Sequence, residues 1–351
     1  MSKAKQRQGV HPLAIVIVIL ALAACITAVV VIITRKPASE SGGEILSASS
    51  PDNGGASQVS TDPETVTPEP MSIDAQSAAP ADPTAPPTEE PTPVTYPVGD
   101  FTATFPDYDT GTNADYSYQS GNVRIAITTG RQYDSNYYVA DVYVRTLDYL
   151  MTMIKNDTLE GSGNDDYTHN LAAEVGAIFA VNGDFCGDRD EGVVIRNGKL
   201  YRSNVFYECC VLYQDGTMEV LSAAETDAEE LLQNGAVHAW SFGPRLLNSD
   251  GSAITDNDAF SPPLLRPANP RTIIGYIEPG HYVFVVVDGR TDESDGMTFL
   301  ECSEFMSSLG CKVAYNLDGG QSSEMVFQGE IVNVPYNGGR SCSDIVYIKD
   351  E

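Results

Sequence analysis

Residues 281–325 read HYVFVVVDGRTDESDGMTFLECSEFMSSLGCKVAYNLDGGQSSEM, and their pattern decides the fold class. Tyr282 to Val287 is an uninterrupted apolar run, as expected of a strand covered on both faces, and it leaves through Asp288-Gly289-Arg290. Thr298 and Glu301 then stand at capping-box spacing, and Cys302, Phe305, Met306 and Leu309 follow at i, i+3, i+4 and i+7. Gly310 supplies the stop. This predicts a helix that leads straight into a second strand, Val313 to Leu317, which leaves through Asp318-Gly319-Gly320. Strand, helix, strand implies a βαβ-like unit; if its strands are parallel, both aspartates emerge on one edge.

Working outward, LAAEVGAIFAVNGDF reads as a short helix turning into a third buried strand, which ends in Asn182-Gly183-Asp184. ETDAEELLQNG is a helix closed by Asn234-Gly235. VRIAITTGRQY and YYVADVYVRT alternate in the period of half-buried strands. Together these elements predict an α+β domain with a mixed central sheet and flanking helices, running from about Tyr96 to the end of the sequence. One Asp-Gly ending is ordinary turn chemistry, since Gly adopts positive φ and Asp caps its own turn. Three such endings on three buried-looking strands point to a shared site.

The first 36 residues differ sharply in kind. They carry Lys3, Lys5, Arg7, Arg35 and Lys36 and no acid, around 21 uncharged residues from Leu13 to Ile33. A bilayer crossing needs about 20 apolar residues, so this segment is expected to be a transmembrane anchor. Leu22-Ala23-Ala24-Cys25 resembles a lipoprotein processing site, but ITAVVVII continues the apolar run past Cys25, which favours an uncleaved anchor. The basic tip is expected in the cytoplasm and the remainder outside. Residues 37–95, rich in Pro, Ser, Thr, Ala and acids, cannot bury enough apolar surface to offset the entropy of ordering. They read as a disordered stalk.

From Tyr96 on, 39 acids face 15 Lys and Arg. Nucleic-acid binding is disfavoured, because phosphate contacts need a basic footprint. Six of the seven cysteines lie in this part; there is no CxxC, and Cys302 and Cys311 could be buried thiols or a bridge. His169, His238 and His281 form no HxH or HExxH pattern and read as structural. No cofactor is required by the sequence; the aspartates permit Ca²⁺ or Mg²⁺, but no spacing demands one.

A site built from the three strand endings would hold Asp184, Asp288 and Asp318 as acid/base or cation-stabilising groups. Gly319 and Gly320 would free backbone N–H groups toward an anion, and Ser322 and Ser323 would add hydroxyls. Arg271 in NPRTIIGY, Arg290 and Arg340 in NGGRSCSD are candidate anion clamps, since the guanidinium fork suits phosphate. Carboxylates beside an anion cradle suit cleavage of a sugar–phosphate linkage. The transition state is oxocarbenium-like, and a phosphomonoester leaves with little need of a general acid.

In order along the chain, AVNGDF, GVVIRNGKLY, GPRLLNSDG, NPRTIIGY, the 285–325 stretch and GGRSCSDIVYI resemble the phosphodiester glycosidase family. The resemblance implies hydrolysis of the glycosyl C1–O bond of an N-acetylglucosamine-1-phosphodiester-like substrate by an extracytoplasmic enzyme, in cell-surface or exopolysaccharide metabolism. By motif, Asn182, Gly183 and Asp184 match the first site loop and Arg271 and Thr272 the central Pro-Arg-Thr. Asp288 to Arg290 match the Asp-Gly-Arg, Asp318 to Ser323 the Asp-Gly-Gly loop, and Arg340 a late Arg. Asp318 is the expected catalytic carboxylate, assisted by Asp184 or Asp288. Gln321 stands where a third glycine is common, and Asn269 where His is frequent. A non-catalytic polysaccharide-binding module and a metal-dependent phosphoesterase that breaks the P–O bond are the alternatives.

Overall fold

The computed structural model describes residues 99–106, 114–160, 163–261 and 263–350. The expected anchor and stalk lie outside the described residues, and among those described no helix is long and apolar enough to cross a membrane. In chain order the strands begin with β1 (Tyr116–Gln119), β2 (Val123–Gln132), β3 (Ser135–Val144), β4 (Leu150–Ile154), β5 (Phe179–Asn182) and β6 (Val194–Arg196). Next come β7 (Lys199–Arg202), β8 (Glu208–Tyr213), β9 (Met218–Ser222), β10 (Ala236–Trp240) and β11 (Arg271–Glu278). The last are β12 (His281–Val287), β13 (Val313–Asn316), β14 (Met325–Phe327), β15 (Glu330–Ile331) and β16 (Asp344–Ile348). Three α-helices are described, α1 (Thr168–Val175), α2 (Ala228–Gln233) and α3 (Phe299–Ser308).

The strands form three sheets, ordered β1-β2-β3-β12-β11-β13, β7-β6-β10-β8-β9 and β15-β14-β5-β16-β4. Every paired neighbour is antiparallel. The fold is therefore α+β and mostly sheet, and the expected mixed central sheet is corrected to three antiparallel ones. The reason is β11. It inserts between β12 and β13 and runs against both, so the two strands of the strand–helix–strand unit point the same way without ever bonding to each other.

One shared core lies between the sheets, and one helix covers the outer face of each. Tyr282, Phe284 and Val286 of β12 enter the shared core, while Val283, Val285 and Val287 meet Phe299, Cys302, Phe305 and Met306 in the layer around α3. The same alternation places Cys210 and Leu212 of β8 inside and Cys209 and Val211 with α2. On β16, Val346 and Ile348 face inward while Ile345 and Tyr347 pack with α1. Period-two strands buried on both sides lose the polar alternation that marks an exposed face, which explains their continuous apolar runs.

The helix signals act as read. Thr298 and Glu301 make both bonds of the capping box at α3, and Gly310 follows with φ +80°. Asp227 caps α2 by accepting from the backbone N–H groups of Glu229 and Glu230. All six described cysteines are buried free thiols, Cys302 and Cys311 included. His238 is buried: Nδ1 accepts from Asn197 N–H and Nε2 donates to the Leu150 carbonyl, and burial holds its pKa down to about 3.

Candidate active site

The three sheets meet at the end of β13. Asn316 N–H donates to the Pro244 carbonyl at 3.1 Å, in the loop after β10. Leu317 N–H reaches the Thr272 carbonyl on β11 at 2.8 Å, and Asp318 N–H reaches the Gly183 carbonyl after β5 at 3.1 Å. Asn182 fastens the same junction, donating to the Asp318 carbonyl at 2.7 Å and accepting from the Thr272 hydroxyl at 2.8 Å. Asn182 and Thr272 thus hold the loops to one another, and neither lines the cleft that opens beside them. Gly183 allows the close approach: a Cβ there would stand 2.1 Å from Asp344 Oδ2.

That cleft has a volume of about 260 Å³ and is lined by Asp318, Gly319, Gly320, Arg271, Arg290 and Arg340, among others. The expected acid, glycine loop and arginines therefore do converge. A larger cleft of about 540 Å³, lined by Leu147, Met151, Tyr347 and Lys349 among others, contains none of the predicted site residues.

The arginines differ in their partners. Arg340 donates to Asp318 Oδ2 and to Ser322 Oγ, both at 2.6 Å. Arg271 is 3% exposed and donates only to carbonyls, those of Met297, Leu265 and Pro267, with its guanidinium 4.0 Å over the Phe299 ring. Arg290 gives two bonds to Asn269 Oδ1, at 3.0 and 2.8 Å. Among the described residues neither Arg271 nor Arg290 has a carboxylate at ion-pair distance. Burial lowers the Arg271 pKa to about 10, still charged at neutral pH. A buried cation without a counter-ion is costly, and an anionic ligand is the natural compensation.

Asp318 is 5% exposed, and burial raises its carboxyl pKa against the opposing charge of Arg340 and the Ser322 hydroxyl. Gly320, at φ +66°, packs under Arg290, where a Cβ would stand 3.1 Å from a guanidinium nitrogen. Gln321 also lines the cleft and donates to the Gly339 carbonyl at 2.8 Å, next to Arg340. Asn269, at the position where His is frequent in the family, orients Arg290.

The other two aspartates are turned elsewhere. Asp288 accepts from Tyr138 Oη at 3.1 Å, Asn333 Nδ2 at 3.0 Å and Val334 N–H at 3.1 Å, and burial raises its pKa. It braces the loop that presents Arg290. Asp184 accepts from Arg196 Nη2 at 2.7 Å and from Ser241 N–H at 2.8 Å. Arg196 also reaches Asp344 Oδ2 at 2.9 Å. Neither Asp184 nor Asp288 lines the cleft with Asp318. Ser322 acts through Arg340, and the Ser323 hydroxyl is buried without a partner among the described residues.

Asp184, Cys186 and Asp344 offer ligand atoms within 4.8 Å of one another, the one such group among the described residues. Arg196 already bonds both of its carboxylates, so the geometry is that of a buried ion-pair network. Arg196 and Asp344 belong to motifs visible in the sequence, GVVIRNG and GGRSCSDIVYI, but nothing in their spacing shows that they meet. Phe185, which closes AVNGDF and sits at φ +65°, and Arg189 carry no site signal of their own in the sequence. The guanidinium carbons of Arg340 and Arg189 lie 4.8 and 5.8 Å from the Phe185 ring.

Comparison with known proteins bears on the whole arrangement. The SPbeta prophage-derived uncharacterized protein YomE of Bacillus subtilis (strain 168) is 28% identical over 217 residues, 56% of this chain. The match spans only 33% of that relative's length. The catalytic domain of zebrafish N-acetylglucosamine-1-phosphodiester alpha-N-acetylglucosaminidase, auto-inhibited by its pro-peptide, superposes with a TM-score of 0.54 at 19% identity. That superposition covers 68% of this chain and 86% of the zebrafish domain. A hypothetical protein from Synechocystis gives 0.52 at 12% identity, covering 67% and 64%. These two likenesses show a shared fold. Residues 175–349, which run from the end of α1 through β16 and include the cleft, match the phosphodiester glycosidase family, and by that match the chain belongs to it.

Proposed function

We propose that the protein is an extracytoplasmic glycosidase, anchored by residues 13–33, that hydrolyses the C1–O bond of a sugar 1-phosphodiester. The observation that carries this reading is Asp318 opening into a cleft with Arg271 and Arg290, two arginines with no carboxylate at ion-pair distance among the described residues. The name of the zebrafish relative specifies an N-acetylglucosamine-1-phosphodiester, which makes that the first substrate to try.

In the proposed reaction the Asp318 carboxylate takes a proton from water as the water oxygen bonds to C1. The C1–O bond breaks and its electron pair stays on the phosphate oxygen. Arg271 and Arg290 stabilise the phosphate, whose second pKa of about 6 makes it a good leaving group. Burial raises the Asp318 proton affinity, which strengthens it as a base, while the charge of Arg340 opposes that shift. Placement outside the membrane fits the basic tip and apolar run, and a role in surface-glycan metabolism fits the substrate class.

The test is Asp318→Asn in the full-length protein, which is expected to remain folded and lose at least about a thousandfold in release of N-acetylglucosamine. Turnover within a few fold of wild type would remove Asp318 from the mechanism. Reaction in ¹⁸O-water is expected to label the sugar; label in the phosphate would mean P–O cleavage and a different enzyme.

A further inference from the structure

A row of cations and aromatic rings leads away from Asp318 along the rim of the cleft. Arg340, bonded to Asp318, lies 4.8 Å over Phe185. The Arg189 guanidinium carbon lies 5.8 Å from the centre of that same ring and 4.9 Å over Phe242, which lines the cleft. The Phe185 backbone is left-handed at φ +65°, ψ 26°. A bulky residue rarely holds that conformation, and such strain persists where surrounding structure has a use for it. Here the bend directs the chain into a short turn, Cys186–Asp188, that delivers Arg189 beside the aromatic pair.

Arg189 is itself unusual. The chain has 49 acids against 20 Lys and Arg, and Asp188, Asp190 and Glu191 flank Arg189 directly. Yet among the described residues its side chain makes a single hydrogen bond, to the Ser241 carbonyl at 3.1 Å, and no carboxylate lies at ion-pair distance. Most of its five N–H donors remain available. It is half-buried, so stacking fixes its plane while leaving an edge to solvent. In a domain this acidic, a polyanion would be repelled except along such a row.

Resting on the activity proposed above, we propose that Arg189 binds a second anionic group on the leaving side of the diester. The substrate class is then a sugar 1-phosphodiester whose alcohol portion carries a further phosphate, as in a polymer of repeating sugar phosphates. Arg271 and Arg290 hold the scissile phosphate, and Arg189 reads the next one.

Two probes separate this from a packing role: the methyl diester of N-acetylglucosamine 1-phosphate, and the diester of the same sugar phosphate with glycerol 3-phosphate. The full-length wild type is expected to prefer the second by about tenfold in kcat/KM, carried in KM, the size of one charge-assisted hydrogen bond. Arg189→Gln is expected to erase that preference and Arg189→Lys to keep part of it. Raising salt is expected to shrink the preference in wild type only. An equal loss on both probes, or a preference unchanged in Arg189→Gln, overturns the assignment. Should wild type cleave neither probe, the activity reading fails separately, and calorimetric binding of the uncleaved probes decides the matter. A wild-type affinity ratio near one, or no binding of either, overturns the role of Arg189.

Discussion

Replacing Arg196 by methionine tests the network beneath the site. Arg196, Asp184 and Asp344 are 1%, 2% and 0% exposed at their side chains, and one guanidinium nitrogen bonds both acids, at 2.7 and 2.9 Å. Removing one partner of a buried ion pair costs about 3–5 kcal/mol, because the remaining charge has no solvent. Two stranded carboxylates favour the upper part of that range, while a methionine can still pack beside Trp240, which the guanidinium carbon now meets at 5.7 Å. At about 2–4 °C per kcal/mol for a domain of this size, Tm is expected to fall by about 6–20 °C. The loss has a pH signature. Burial raises the Asp344 pKa to about 6, against the opposing charge of Arg196. A carboxyl held above its unfolded value contributes stability below about pH 4 and loses it as pH rises through the folded value. Without Arg196 the folded value climbs further, so the deficit widens between about pH 5 and pH 8, by about 1.4 kcal/mol for each tenfold gain in proton affinity. Melts followed by circular dichroism at both pH values measure it. A variant that melts within about 2 °C of wild type at pH 8, or shows the same deficit at both, refutes the network as described.

Two further outcomes concern the cleft and the junction beside it. Arg340 lowers the Asp318 pKa against the dominant effect of burial, so Arg340→Gln is expected to move the acidic limb of the kcat/KM profile to higher pH. A limb that stays in place would detach it from Asp318. Gly183→Ala drives a Cβ to 2.1 Å from the Asp344 carboxylate and is expected to cost at least about 1–3 kcal/mol, read as a lower urea midpoint. An unchanged midpoint would show that the loop has room to move.

Local chemistry made much of this legible. The capping box at Thr298, the full burial of β12 and the three Asp or Asn turns all follow from residues within one helix turn or one strand of each other. What the sequence could not convey was which strand ends share neighbours. Asp184, Asp288 and Asp318 carry the same turn signature, yet only Asp318 lines the cleft, because Arg196 lies 12 residues from Asp184 and Asn333 lies 45 from Asp288. Partners at that separation are chosen by sheet packing. The arginines were readable for a converse reason: Arg271 follows a Pro at the start of a strand and Arg290 a Gly turn after one, where a side chain is presented to a loop. Phe185 and Arg189 left no such mark, since a left-handed phenylalanine cannot be recognised from composition.

The insertion of β11 between β12 and β13 sets the gauge of the cleft. Two strand intervals span about 9.5 Å, and main-chain bonds hold that gap however the crossover through α3 is built. Arg271 enters from the opposite direction as the first residue of β11, so it arrives midway between the loops bearing Arg290 and Asp318. The helix and its linkers are thereby free to drift in length and composition, while the cradle width is inherited with the sheet.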